Sequence, residues 1–210
     1  MNNFIEIPVN HRSIYNRKPL YNRGINDSDY QTQPLINGKR YRCPFYKVWT
    51  LMFQRCYSEK YIQRNPTYAE CEVSSEWWIF SNFKAWMQEQ DYIGKELDKD
   101  ILSFNTKIYS KETCCFIDVG LNRLLNKNKA QRGEYPLGVS WNSKSQKYQA
   151  HCRNGKGKTI NLGLFDNELD AHKVYCIYKA NLFISLANLQ ANILVKEALI
   201  LRANNLLIGE

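Results

Sequence analysis

With 210 residues, 44% hydrophobic content and 29 Lys/Arg against 20 Asp/Glu, the chain has room for one large domain or two to three small ones, and it is too apolar to be disordered throughout. A net charge of +9 favours a polyanionic partner, and nucleic acid is the commonest of these. No window approaches the run of about 18 uncharged apolar residues that a membrane span needs; the opening MNNFIEIPVNHR lacks the layout of a secretory leader; and seven scattered cysteines fit reduced cytoplasmic thiols better than a disulfide framework.

The basic charge is concentrated in two segments. Residues 1–65 carry eleven Lys/Arg against four acids, residues 66–130 eight against ten, and residues 131–180 eight against four. The first 42 residues are rich in Asn, Arg and Tyr, with Pro and Gly turn signals throughout, and read as a basic polar arm with a hairpin at Asn37-Gly38. FYKVWTLMFQRCYSEKY, with Val48, Leu51 and Met52 among aromatics, predicts a helix. SSEWWIFSNFKAWMQEQ predicts a second one, capped by Ser74 or Ser75, with Trp78, Phe83 and Trp86 on its buried side. Residues 95–125 read as strand, turn, strand or loop, then helix. A polar linker at 126–134 leads to three strands, Leu137–Trp141, Tyr148–Arg153 and Thr159–Leu164, joined by turns at NSKSQK and NGKG. An amphipathic helix then presents Ala171, Val174, Tyr175 and Tyr178 on one face. The tail, with Leu and Ile at three- and four-residue steps, predicts a final helix. Such a helix either folds back on its own domain or forms a homodimer.

Period-two alternation divides the middle strand. Tyr148, Ala150 and Cys152 face the helix, and Lys147, Gln149, His151 and Arg153 face away. The outward set consists of side chains that hydrogen-bond base edges and phosphates, and a sheet of this width suits a major groove.

On these residues the segment YPLGVSWNSKSQKYQAHCRNGKGKTINLGLFDNELDAHKVYCIYKANLF resembles the Apetala-type, ethylene-response-factor DNA-binding domain. The matching features are Gly138-Val139, the strand from Lys147-Tyr148 to Arg153, Leu162-Gly163-x-Phe165, and Ala171 with Tyr175 on the helix. The resemblance implies a three-stranded sheet packed on one helix and laid in the DNA major groove. By position, the residues facing bases or phosphates would be Ser140, Asn142, Gln149, His151, Arg153, Thr159 and Asn161, with Lys147 beside them. Those plant domains use mostly Arg and Trp at these places, and of these only Arg153 is kept here, so a different DNA sequence is expected.

ELDKDILSFNTKIYSKETCCFI, with the two predicted helices before it, resembles the His-Asn-His (HNH) endonucleases of the ββα-metal type found in phages and mobile introns. The resemblance implies a divalent cation, Mg²⁺ or Mn²⁺, that bridges the scissile phosphate while a base activates water. By position, Asp98 would be the first metal ligand, Lys99 would occupy the base position, Thr113 would replace the helix Asn ligand, and Asp100 and Asn105 would support them. No His lies between residues 12 and 150, and a Lys base requires a strongly lowered pKa. HNH-type proteins sometimes also hold a structural four-cysteine zinc site, for which Cys43, Cys56, Cys71 and Cys114 or Cys115 are the candidates. There is no Cys-x-x-Cys pair, however, and buried apolar thiols are the simpler reading.

The expected architecture is therefore α+β. A basic arm at 1–42 precedes an HNH-like ββα module at 43–125, a linker at 126–134, a three-stranded antiparallel sheet on one helix at 135–183, and a C-terminal helix at 184–210. The expected function is sequence-preferring binding of double-stranded DNA in a cytoplasm, the host's if the protein is phage-encoded. It would come either with metal-dependent cleavage or as an inactive nuclease-derived DNA-binding regulator or anti-host factor.

Overall fold

The computed structural model describes residues 4–103, 106–125 and 134–209. It is mixed α+β, as expected, and divides into two compact units, Met1–Ile117 and Asp118–Glu210. Among the described residues no helix is long and apolar enough to cross a membrane.

The first unit is built on aromatic packing. Its N-terminal segment contains a short helix α1 (His11–Tyr15), closed by a reciprocal capping box between Asn10 and Ser13. A two-residue-per-strand hairpin follows, β1 (Leu35–Ile36) and β2 (Lys39–Arg40). Asn37 and Gly38 both take positive φ at its turn, the requirement of the tight hairpin expected there. Helix α2 (Pro44–Tyr57) starts on a proline whose missing N–H costs nothing at that position. It buries Trp49, Met52, Phe53 and Cys56, the i, i+3, i+4, i+7 stripe of an amphipathic helix. Helix α3 (Glu59–Arg64), capped by Ser58, and a 3-10 turn follow, then β3 (Glu72–Val73).

The second predicted helix is broken in two. Ser75–Trp78 form a 3-10 turn, Ile79 is extended, and α4 runs Phe80–Gln88. The break has a cause distant in sequence. Ile25 N–H donates to Trp78 O (2.7 Å), and Phe80 N–H donates to Ile25 O (3.0 Å), pinning Ile79 in a bridge. The start of α4 is satisfied by Asp27, whose carboxylate accepts from Ser81 N–H (2.9 Å) and Ser81 O–H (2.5 Å). Ser74 occupies the N-cap position of the 3-10 turn without a side-chain cap bond, and neither Ser74 nor Ser75 caps α4. Trp77, rather than Trp78, is the buried indole, together with Phe80, Phe83 and Met87. The unit ends in β4 (Lys95–Asp98), β5 (Ile108–Tyr109) and β6 (Cys115–Asp118), with β3 paired parallel to β5 and β4 paired to β6.

Residues 4–42 are not an extended arm. Tyr30 belongs to the core, and Arg17 donates to Asn26 O (2.9 Å), Ser28 Oγ (3.1 Å) and Tyr30 O (3.0 Å), folding the segment around one guanidinium. Arg23 lies over the Tyr57 and Trp78 rings. Two of the basic residues of this segment are thus engaged internally.

The second unit begins at Asp118, the last residue of β6, and leads into α5 (Val119–Leu125), so the unit boundary falls inside the expected 43–125 module. The linker expected at 126–134 lies almost wholly outside the described residues. Then come β7 (Val139–Asn142), β8 (Lys147–Arg153) and β9 (Thr159–Phe165), an antiparallel sheet in the order β7-β8-β9. Helix α6 (Glu168–Ala187), capped by Asn167, packs on all three strands. Helix α7 (Ile193–Ile208), capped by Asn192 and ended by Gly209 in the left-handed conformation, folds back on α6 and buries Val195, Ala198, Leu199 and Ala203.

Candidate nucleic-acid interface

Strand register decides which side chains share a face. In β7–β8, Val139 pairs with Ala150, Ser140 with Gln149, Trp141 with Tyr148, and Asn142 with Lys147. In β8–β9, Arg153 pairs with Thr159, Cys152 with Ile160, and His151 with Asn161; the ladder then shifts, and Ala150 pairs with Gly163, Gln149 with Leu164, and Tyr148 with Phe165. Val139, Ala150 and Ala171 form a buried cluster, and Tyr148, Leu162 and Phe165 pack against it. Cys152 is buried on the same side. The opposite face therefore presents four cross-strand rows, namely Asn142–Lys147, Ser140–Gln149–Leu164, His151–Asn161 and Arg153–Thr159. All eight residues carried over from the Apetala-type pattern or the strand alternation fall on this one face.

The bulge is what keeps the face continuous. Strict alternation from Thr159 and Asn161 would send Phe165 outward and Leu164 under the helix. One extra residue at Leu162-Gly163 reverses this. Gly163 has φ +129°, open to glycine and strained for other residues. Phe165 turns in to the core and Leu164 turns out, a placement that alternation alone misses.

Local bonds hold the outer residues in place. Asn142 Nδ2 donates to Gln149 Oε1 (3.2 Å), while Asn142 Oδ1 accepts from the Lys144 and Ser145 amides and closes the first turn. Asn161 Oδ1 accepts from Gly163 N–H (3.1 Å). Lys147 makes an exposed ion pair with Asp166 (3.0 Å), which water screening leaves weak and exchangeable. The second turn is shaped by Asn154, whose Oδ1 accepts from Lys156 N–H (2.9 Å) and Lys158 N–H (3.1 Å). Both lysines are exposed, as are Arg153 and Thr159 beside them. This end of the sheet is basic and rests on α5. A Cβ at Gly120 would lie 2.8 Å from Gly155 O, so the helix backbone meets the turn directly. Lys179 donates to Leu124 O (3.0 Å) and closes the other end of α5.

The residues expected to form a cleavage site lie in the first unit, at the end of β4 and in the loop before β6. Asp98 Oδ1 accepts from Asp100 N–H (2.9 Å) and Ile101 N–H (2.7 Å), forming a turn. Burial pushes its carboxyl up from the ordinary value, opposed by those two amides. Lys99 is buried, 6% exposed, and donates to Asp100 Oδ1 (2.5 Å) and Thr106 O (3.1 Å). Burial is the largest single influence and disfavours its charge, but the bond and charge of Asp100, together with Cys71 and Tyr68, outweigh it and hold the ammonium above the ordinary lysine range. A lysine held as a cation has no lone pair to offer as a base. Thr113 Oγ1 donates to Ile108 O (2.7 Å) and accepts from Ser110 N–H (3.0 Å), again closing a turn. Asn105 lies outside the described residues. With Asp98 Oδ1 and Thr113 Oγ1 each closing a turn and Lys99 held as a cation beside them, the set fits Mg²⁺ or Mn²⁺ poorly.

The cysteines offered as zinc ligands, Cys43, Cys56, Cys71, Cys114 and Cys115, are all buried. Cys43 lies 3.3 Å from Tyr30 Oη, and Cys71 bonds to Thr67 O. Burial pushes the thiols of Cys56 and Cys114 up to about 12 and raises that of Cys71 as well. Among the described residues no three His, Cys, Asp or Glu side chains gather as a metal-holding group.

Comparison with known proteins finds no match, whether with a family model, a curated protein or a solved structure.

Proposed function

We propose that the protein binds double-stranded DNA through the outer face of the β7-β8-β9 sheet. The observation that carries this reading is the single polar face of Ser140, Asn142, Lys147, Gln149, His151, Arg153, Thr159 and Asn161, set opposite the helix-covered face and ending in the basic Lys156–Lys158 turn. Arg, Asn and Gln are the side chains that pair bidentately with guanine and adenine edges, and the turn lysines supply phosphate contacts. The resemblance to Apetala-type domains points the same way.

Of the two forms of this function, binding without cleavage is better supported. The HNH resemblance offers Asp98 as a ligand and Lys99 in place of the base, but Lys99 is an ion-paired cation and Asp98 shapes a turn. The same reading takes the protein to self-associate through α7. The helix leaves apolar pairs exposed at seven-residue spacing, Ile193-Leu194, Ile200-Leu201 and Leu207-Ile208.

The test is a mobility-shift series on a duplex selected from a random pool. Arg153→Ala and His151→Ala should weaken binding by about 1–3 kcal/mol each if they read bases. Lys156→Ala with Lys158→Ala should weaken all sequences alike and reduce the slope of log affinity against log salt by about one for each phosphate no longer neutralised. Unchanged affinity in all three would reject the sheet as the interface. In the same tubes, supercoiled DNA with Mg²⁺ or Mn²⁺ should stay uncut; nicking that Asp98→Ala abolishes would restore the nuclease reading.

A further inference from the structure

The outer face of the sheet is polar except at one place. Leu164 sits on it, 44% exposed, in the row Ser140–Gln149–Leu164, one residue from the end of the edge strand β9. It reaches that position through the bulge at Leu162-Gly163, and its cross-strand partner is Gln149. The Gln149 amide is held by Asn142, whose Nδ2 donates to Gln149 Oε1 (3.2 Å). A methyl-rich side chain thus stands beside an amide with a fixed direction.

That combination matches one base pair. Adenine presents N7 and N6–H₂ in the major groove, the acceptor and donor that a Gln amide satisfies together, and the thymine opposite presents its 5-methyl group in the same groove. A guanine–cytosine pair offers Gln149 a mismatched edge and Leu164 no methyl. On the reading that the sheet lies in the major groove, we propose that Leu164 contacts the 5-methyl group of a thymine whose adenine partner is read by Gln149, making this row specific for an A·T pair. The remaining outward side chains read polar groups, and Leu164 adds the shape of a methyl.

Uracil substitution tests the contact, because uracil differs from thymine only by that methyl. Each thymine of the selected duplex is replaced in turn by uracil. One position is expected to weaken binding of the unaltered protein by about three- to tenfold, the scale of one buried methyl. Leu164→Ala should bind the thymine duplex more weakly and lose the discrimination at that position alone. Replacing the same pair by guanine with 5-methylcytosine keeps a methyl but removes the adenine, and should also weaken binding unless Gln149→Ala is present. Equal uracil effects in the unaltered protein and Leu164→Ala would overturn the contact while leaving DNA binding intact. Failure of the pool to yield any bound duplex would overturn both this contact and the DNA-binding reading. Unchanged thermal unfolding of Leu164→Ala confirms that the readout is recognition.

Discussion

Gly138 and Tyr175 are in contact at a distance no side chain at 138 could tolerate. A Cβ built on Gly138 would lie 2.1 Å from Tyr175 Cδ2, and the glycine's φ of +82° is already left-handed. The lead-in to β7 is thereby laid against helix α6, and His172 Nδ1, 2.8 Å from Leu137 O, fixes the residue before it.

Gly138→Ala should therefore destabilise the second unit. Left-handed strain costs about 1–2 kcal/mol and overpacking another 1–3 kcal/mol, so a loss on the order of 2–5 kcal/mol is expected in urea unfolding. A midpoint equal to that of the parent would show that the strand lifts away freely.

Lys179 is 8% exposed, donates to Leu124 O and lies over the Phe183 ring at 5.0 Å. Lys179→Met keeps the packed stem and removes the charged donor. It should cost about 1–3 kcal/mol, the worth of a charge-assisted bond to a helix C-terminus. The amides of α5 should exchange faster by hydrogen exchange, and unaltered exchange there would remove the capping role.

The first unit should lose stability in alkali. Cys56 and Cys114 have thiols pushed up to about 12 from an ordinary 9.0 by burial, and burial also raises Tyr109. Between those values the folded chain holds protons that the unfolded chain has released. The stabilisation is complete below pH 9 and declines as pH rises toward 12. Urea midpoints at pH 8, 9 and 10 should fall in order, and Cys114→Ala should show a shallower decline. A flat series would contradict the burial of these thiols.

The exposed apolar pairs of α7 should support self-association. Sedimentation at micromolar concentration is expected to show a dimer, and Ile200→Glu with Leu201→Glu a monomer that still unfolds at the parent's temperature. A parent that sediments as a monomer at every concentration would end the proposal.

The sheet was legible because its information is local. Alternation placed Ala150 and Cys152 under the helix and Gln149, His151 and Arg153 outside, with no knowledge of anything beyond the hairpins. Leu164 was not legible. Its direction depends on a bulge that lets Phe165 enter the core, and periodicity cannot count an extra residue. The split at Ile79 was hidden for a different reason, since the bridge that imposes it comes from Ile25, more than fifty residues earlier. The N-terminal segment misleads because polar composition normally marks a free stretch of chain. Here Arg17, Asn26 and Ser28 direct their polarity at one another, and Tyr30 enters the core. At Asp98 and Lys99 the residue types invite a catalytic reading, and only the hydrogen bonds reveal a turn and an ion pair.

The Lys156–Lys158 turn carries a thermodynamic consequence. Asn154 accepts from both lysine amides, Asn154 N–H donates to Lys158 O (3.0 Å), and α5 supports the loop at Gly155. Its backbone conformation is settled during folding, so a polyanion that meets it has little chain entropy left to remove, and ordering each free residue would otherwise cost about 1–2 kcal/mol. Only the two ammonium stems remain to be immobilised. Encounter with a charged backbone should then proceed at a rate governed by ionic strength rather than by rearrangement of the loop.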